Sequence, residues 1–415
     1  MWPEPINLKY SCEFLNIVLD SIHSAVFIID GEGRMRGFNR AFRALFPGRD
    51  EELEGRRFGN ALGCGFAVDE EVLCGSTSRC SECVIRESYQ ETLATRKPVF
   101  DRKVQRHFKI GKRLLIKYFQ FSTRYLNLNG REMVLVILDD ITKTEATGIE
   151  INRDLKAAAE IQVRLLPSDP PVQSAFDVAW KYLPCRQLGG DIFNVVELPE
   201  HLWGFYMLDV SGHGVAAALV AVSVYHTLQK DNGFLVRKTV SESYNSYLMS
   251  TKTIEKDEIV PPREVAGMLN AHYSMDTYGN FFSFFYMLVD AKAHEITYCN
   301  AGHPHPLILG RNGAVREMES NGPVIGSGFD LNYTERRVML SRGDRIFLYT
   351  DGILEYENEN GDAYGKESLL RAIEAAGSRR VGDAVEDIVA DVFAFGKGFE
   401  PQDDISLLCL EYQGG

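Results

Sequence analysis

Residues 203–214 read Trp203-Gly204-Phe205-Tyr206-Met207-Leu208-Asp209-Val210-Ser211-Gly212-His213-Gly214. An apolar run of strand length ends on a carboxylate, and glycines follow at once. A strand end holds an acid rigidly at the rim of a sheet, and a neighbouring glycine lets backbone and water come close. Three more stretches share this design: Gly189-Gly190-Asp191, Phe347-Leu348-Tyr349-Thr350-Asp351-Gly352 and Gln402-Asp403-Asp404-Ile405-Ser406. Carboxylates converging from distant segments repel unless cations lie between them. Hard divalent ions such as Mg²⁺ and Mn²⁺ prefer oxygen ligands. Two of them about 3.5–4 Å apart can clamp a phosphoryl group. A single Asp-Gly or Asp-Asp pair would mean little, since most are ordinary turns.

Around these acids, over residues 171–413, apolar runs alternate with turns and long amphipathic stretches. Strands are expected at Trp203–Leu208, Phe281–Val289, Glu295–Cys299, Pro306–Leu309, Arg345–Tyr349 and Ile405–Leu410. Helices are expected at Gly214–Gln229, Pro262–Ser274 and Val381–Phe395. The mixture suits an α/β sandwich. Lys230 to Val260 is polar and charged and is expected to form a mobile excursion.

Residues 12–144 form a separate piece. Phe14, Leu15, Val18, Leu19 and Ile22 have helical spacing, and Ala25 to Asp30 reads as a strand. A Gly31-Glu32-Gly33 turn and a second strand follow, and Asn39 caps a short helix stopped by Pro47-Gly48. Lys112–Tyr125 and Arg131–Asp139 look like a hairpin around Asn129-Gly130. Between the pieces, over 145–170, Ile151, Leu155, Ala158, Gln162 and Leu165 fall at heptad-like spacing, so a helix pairing two chains is expected, the alternative being a single helix packed on its own domain. Pro167, Pro170 and Pro171 end it.

The first piece, with "GFNRAF" and the closing "LVILDDITKTE", resembles a PAS sensor domain. The series "AEIQVRLLP", "GGDIFNV", "LDVSGHGVAAALV", "YCNAGHPHPLIL", "GPVIG", "LSRGDRIFLYTDGILE" and "DDISLL" resembles the SpoIIE-like branch of the PPM protein phosphatases, a bacterial signalling family. The resemblance covers Ala158 to Tyr412. It implies an α+β chain: an antiparallel PAS sheet with helices, a helical linker and an α/β/β/α phosphatase sandwich. It implies two Mn²⁺ or Mg²⁺ ions, with Asp209 bridging both and the Val210 carbonyl helping to hold one. Asp351 and Asp403 would hold the other, and Asp191 would position water or ligate weakly. Family placement favours Asp403 over Asp404. The implied reaction is attack by a metal-bridging hydroxide on phosphoserine or phosphothreonine, with no phosphoenzyme. The implied partner is a phosphorylated anti-sigma-factor antagonist of the STAS type. Two departures are visible: Asn194 stands where the family has a second acid, and Ser283 stands for a threonine. The rival readings are a small phosphate-ester hydrolase and a non-catalytic interaction module.

Other residues invite simpler accounts. His213 reads as a structural neighbour of Asp209. His303 and His305 alternate on a Pro-fixed segment and read as a structural turn near the catalytic face. Cys64, Cys74, Cys80 and Cys83 have the spacing C-x9-C-x5-C-x2-C, half of it a CxxC, which suggests Zn²⁺, an iron–sulfur cluster or a redox role. Cys80 to Arg86 also spells C-x5-R. Its acid and β-branched residues do not suit a phosphate-cradling loop, so the match is read as coincidence.

The 415 residues favour two or three domains. A net charge of -13 argues against nucleic acid and anionic membrane as partners. No apolar run approaches the roughly twenty residues that cross a bilayer, and Met1 to Tyr10 lacks a signal-peptide pattern. A cytoplasmic homodimer is expected.

Overall fold

The apolar stripe near the start forms α1 (Cys12–Ser21) in the computed structural model, which describes residues 12–46, 53–110, 113–128, 130–167, 175–230, 233–245, 250–328 and 332–414. The apolar run Ala25–Asp30 is β1, which turns back into β2 (Met35–Phe38). Asp30 makes that turn by accepting the N–H groups of Glu32 and Arg34 at 3.0 and 2.9 Å, with Gly33 at φ +73°. Asn39 caps α2 (Arg40–Leu45), accepting the Phe42 N–H at 3.0 Å. The expected Pro47-Gly48 stop and residue Asn129 of the expected hairpin turn lie outside the described residues.

Three short helices follow: α3 (Phe58–Ala61), α4 (Gly65–Asp69) and, after a 3₁₀ turn at Cys80–Glu82, α5 (Val84–Thr95). Then come three long strands, β3 (Val99–Ile110), β4 (Arg113–Leu128) and β5 (Arg131–Asp140). The antiparallel sheet runs β2-β1-β5-β4-β3. Its inner face buries Phe27, Ile29, Phe119, Phe121, Val134, Val136 and Leu138 against Phe42, Phe58 and Tyr89. β3 escapes a sequence reading because its inward residues Val99, Val104 and Phe108 are separated by charged ones.

This unit spans Met1–Asn152, and a second spans Arg153–Gly415. The long helix α6 (Thr142–Val163) runs from one into the other. The face expected to pair two chains is partly turned onto its own chain at its C-terminal end. Gln162 is buried there and bonded to the backbone of Gly189, while Ile151 stays exposed.

The second unit is a four-layer sandwich. One sheet has the order β15-β12-β11-β8-β7. It is built from β7 (Ile192–Glu197), β8 (Leu202–Val210), β11 (Phe282–Asp290), β12 (Glu295–Ala301) and β15 (Arg336–Met339). The other has the order β14-β13-β16-β17-β6. Its strands are β6 (Phe176–Leu183), β13 (Leu307–Leu309), β14 (Val315–Glu317), β16 (Arg345–Tyr349) and β17 (Ile405–Tyr412). Phe193, Phe205, Met207, Phe285 and Met287 of the first sheet pack against Val178, Ile346, Leu348, Leu408 and Leu410 of the second. The first sheet's outer face is covered by α7 (Val215–Thr227) and α8 (Pro262–His272), followed by the single turn α9 (Met275–Tyr278). The second sheet's outer face is covered by α10 (Asp351–Leu354), α11 (Gly365–Ala376) and α12 (Val381–Gly396).

The stretch from Lys230 to Val260, expected as a mobile excursion, holds two paired strands that the sequence reading did not assign. β9 (Val236–Asn245) and β10 (Ser250–Ile259) pair residue for residue from Asn245–Ser250 to Val236–Ile259. Backbone pairing needs no apolar side chains, so polarity alone did not exclude strands here.

Candidate metal centre

Strand periodicity explains why one end of the inter-sheet layer is polar. Side chains alternate between faces, so Phe205 and Met207, which face the opposite sheet, are followed on that face by Asp209. The same count carries Phe193 back to Asp191, Met287 and Phe285 to Ser283, Leu348 to Thr350, and Leu408 to Ser406 and Asp404. The apolar filling of the sandwich thus gives way, at one end, to acids and hydroxyls supplied by both sheets.

Asp191 is 1 % exposed and ties the two layers together. Its Oδ2 accepts from Thr350 Oγ1 at 2.8 Å, just beyond β16, and from Ser406 Oγ at 2.6 Å, within β17 of the other sheet. Its Oδ1 is buried with no protein partner. Burial, with Asp209 and Asp404 nearby, pushes the Asp191 carboxyl well above the usual range. Neither hydroxyl partner stood out in the sequence.

Asp209, Asp351 and Asp403 come together although 142 positions separate the first two in the sequence. Burial and the charges of Asp351 and Asp403 push Asp209 up to about 8, and its side chain hydrogen-bonds that of Asp351. Asp351 and Asp403 are also raised, first by burial and then by neighbouring acids. Two carboxylates 4 Å apart at an effective dielectric of 20 repel by about 4 kcal/mol. Without cations such a group keeps protons.

Asp404 has another position. Its Oδ1 accepts the Cys185 N–H at 2.8 Å and its Oδ2 the Gly190 N–H at 2.6 Å, and it is 2 % exposed. It anchors the turn that carries Asp191. A Cβ on Gly352 would collide with the Asp404 carbonyl, so only glycine fits after Asp351. A Cβ on Gly190 would lie 2.9 Å from the Val210 carbonyl oxygen. Glycine leaves that oxygen open to a ligand. Cys185, absent from the sequence reading, places its sulfur within 4.8 Å of carboxylate oxygens of Asp403 and Asp404.

The donors fit a hard divalent cation: carboxylates from both sheets, an uncovered carbonyl and a buried, unpartnered carboxylate oxygen at Asp191.

The histidines do not form a pair. His303 is buried, with Nδ1 2.7 Å from Ser283 Oγ and its backbone exchanging bonds with Asn300. His305 meets Asn321 at 3.0 Å and Glu317 at 3.4 Å. His213 is exposed and lies near Asp403. Asn194 lies on the face opposite Phe193, and its Oδ1 accepts the N–H of Val195 at 2.8 Å.

The cysteine quartet of the first unit requires a correction. No three of the sulfurs of Cys64, Cys74, Cys80 and Cys83 lie within 4.8 Å of one another. That arrangement is too open for tetrahedral thiolate coordination, with Zn–S near 2.3 Å. The structure therefore does not support the expected Zn²⁺ or iron–sulfur site.

A family model described as Stage II sporulation protein E (SpoIIE) matches residues 199–413. Phosphoserine phosphatase RsbP of Bacillus subtilis (strain 168) is 27% identical over 209 residues, 50% of this chain and 46% of RsbP. Phosphoserine phosphatase RsbU of the same organism is 25% identical over 264 residues, 63% of this chain and 70% of RsbU. The chain thus spans less than half the length of one of these relatives. Among solved structures, the SiaA-PP2C domain of Pseudomonas aeruginosa aligns with a TM-score of 0.51 at 19% identity, covering 64% of this chain and 99% of that domain. That likeness is one of fold.

Proposed function

Because the chain belongs to the SpoIIE family, we propose that its second unit is a metal-dependent protein serine/threonine phosphatase. The observation that carries this reading is the meeting of Asp209 from one sheet with Asp351 and Asp403 from the other, beside the orphan oxygen of Asp191. Asp209, the Val210 carbonyl, Asp351 and Asp403 would hold two Mn²⁺ or Mg²⁺ ions. Such ions, when bound, supply an acidified water and neutralise charge on a transferring phosphoryl group. The chain's own residues do the rest. Asp191, fixed by Thr350 and Ser406, orients a water through its free oxygen. The burial of the acids concentrates their negative charge where the cations would sit.

The likeness to the phosphoserine phosphatases RsbP and RsbU supports phosphoserine as the substrate, here on a STAS-type regulator of a sigma-factor pathway. Residues 12–144 are read as a PAS-type sensor, supported by the strand order β2-β1-β5-β4-β3. Residues 145–170 connect it to the phosphatase domain at 171–413, in a cytoplasmic homodimer. No described helix is long and apolar enough to cross a membrane.

The test is phosphate release under Mn²⁺ from phosphoserine-bearing STAS proteins, compared with p-nitrophenyl phosphate. Preference for the phosphoprotein, lost in Asp351→Asn, is the expected result. Turnover confined to the small ester would favour a small-ester hydrolase. Unchanged partner binding with no turnover would favour an interaction module.

A further inference from the structure

The loop from Cys74 to Cys80 in the first unit carries chemistry that the phosphatase reading leaves unused. Polar anchors set its shape. Asn60 Oδ1 accepts the Cys74 N–H at 2.7 Å, and Arg57 Nη1 donates to the Cys74 carbonyl at 2.9 Å. The Glu70 carboxylate takes the Ser78 N–H at 2.9 Å and its hydroxyl at 2.6 Å. The chain is thereby folded back until Cys80 Sγ accepts the N–H of Gly75 at 3.1 Å and lies 2.9 Å from Thr77 Oγ1. The Cys80 sulfur therefore sits beside the residue that follows Cys74.

The two thiols have unlike surroundings. The guanidiniums of Arg57 and Arg86 both crowd Gly75 at the place a Cβ would occupy, so two cations flank the pocket where Cys80 accepts its hydrogen bonds. Burial raises the Cys80 thiol, but the bonds from Thr77 and Gly75 and the charge of Arg86 outweigh it, and the net shift is downward. Cys80 is also part exposed. Cys74 is buried with its sulfur against Gly59, and burial pushes it up to about 11. A donor-stabilised, reachable thiol and a shielded thiol on one short loop are the features of an attacking and a resolving cysteine.

We propose that Cys80 and Cys74 form a peroxide-reactive thiol pair. The Cys80 thiolate attacks the outer oxygen of a hydroperoxide. An S–O bond forms, the O–O bond breaks, and the departing alkoxide or hydroxide takes a proton from water. Cys80 is then a sulfenic acid. The Cys74 sulfur attacks the Cys80 sulfur, an S–S bond forms, and the hydroxyl leaves with the Cys74 proton as water. The two thiols lose two electrons in total, and the hydroperoxide gains them. Neither step depends on the acids of the second unit.

The test uses the full chain, reduced and freed of reductant, with one equivalent of hydrogen peroxide. The free-thiol titre should fall by two. Trypsin cuts after Arg79, so a peptide map should show the Cys74 and Cys80 peptides joined, with fragmentation placing the bond between those two residues. In Cys74→Ser, dimedone should tag Cys80 and no link should form. In Cys80→Ser, thiol loss should slow at least tenfold. The proposal is overturned if the wild-type link joins other cysteines, if dimedone marks another residue, or if Cys80→Ser reacts at the wild-type rate. Stoichiometric zinc or iron retained by these thiols in the purified chain would overturn it as well. The wild-type map needs no variant, so a misfolded substitution cannot leave the question open.

Discussion

Gln162, near the end of the connecting helix, and Gly189, in the turn before Asp191, hold each other by two hydrogen bonds. The Gln162 side-chain N–H donates to the Gly189 carbonyl at 2.7 Å, and the Gly189 N–H donates to Gln162 Oε1 at 3.2 Å. Both groups are buried, so neither has water as a substitute. The helix end and the acid-bearing turn are one mechanical unit. Gln162→Leu should lower urea stability of the second unit by about 2 kcal/mol, because it leaves buried backbone groups unpaired. It should also raise the Mn²⁺ concentration for half-maximal turnover at least threefold. Equal half-saturation in mutant and wild type would show that the pairing holds structure only.

Asp209→Asn and Asp351→Asn should each reduce Mn²⁺-dependent turnover by at least about 100-fold. In the absence of metal, the same changes should raise the melting temperature by about 2–4 °C, since each removes one member of a self-repelling cluster. Calorimetry with chelator, beside the turnover assay, separates loss of ligand from loss of fold. A lowered metal-free melting point would contradict the repulsion argument.

Asp404 should respond differently from its neighbour Asp403. Its two oxygens hold the N–H groups of Cys185 and Gly190. Asp404→Ala should therefore cost about 2–4 kcal/mol of stability even with chelator present, as charge-assisted bonds are broken inside the fold. Asp403→Ala removes a repelling charge and also the acceptor of the Asp404 N–H at 2.8 Å, so metal-free stability should stay nearly unchanged while turnover is abolished. Denaturant titration of both variants without metal decides between these roles.

His303 gives a pH dependence with a definite sign. Burial holds its imidazole down to about 3 in the folded chain, against 6.5 for an ordinary histidine. Between those values the unfolded chain binds a proton that the folded chain does not. The resulting stability is fully present above pH 6.5 and is lost as pH falls toward 3. The slope should approach 1.4 kcal/mol per pH unit, roughly 2–3 kcal/mol between pH 6.5 and 4.5. The raised carboxyls of Asp191 and Asp209 act in the opposite sense over this range, so the His303 contribution should appear in urea titrations as the difference in slope between wild type and His303→Gln.

Much of the second unit was legible because its central strands are apolar on both faces. Arg345–Tyr349 was expected and observed with the same limits, since all five residues are buried. The acids stood out because each closes such a run. Thr350 and Ser406 did not, since their hydroxyls gain meaning only when β16 and β17 pair and bring them to Asp191. Gln162 was read as part of a heptad stripe. Periodicity told that the position faces something, but not that the surface it meets is the backbone of Gly189. Helix α5 was also missed, because its buried residues Ile85, Ser88, Tyr89 and Thr92 include the small polar side chains Ser88 and Thr92, which blur the apolar stripe.

The carboxylates are mounted on opposite leaves of the sandwich: Asp191 and Asp209 on one, Asp351 and Asp403 on the other. A small sliding of one leaf over the other would change the gap between the acids while leaving every strand pairing intact. The centre is in effect a vernier for interlayer slip, sensitive to displacements far smaller than those that would disturb either sheet.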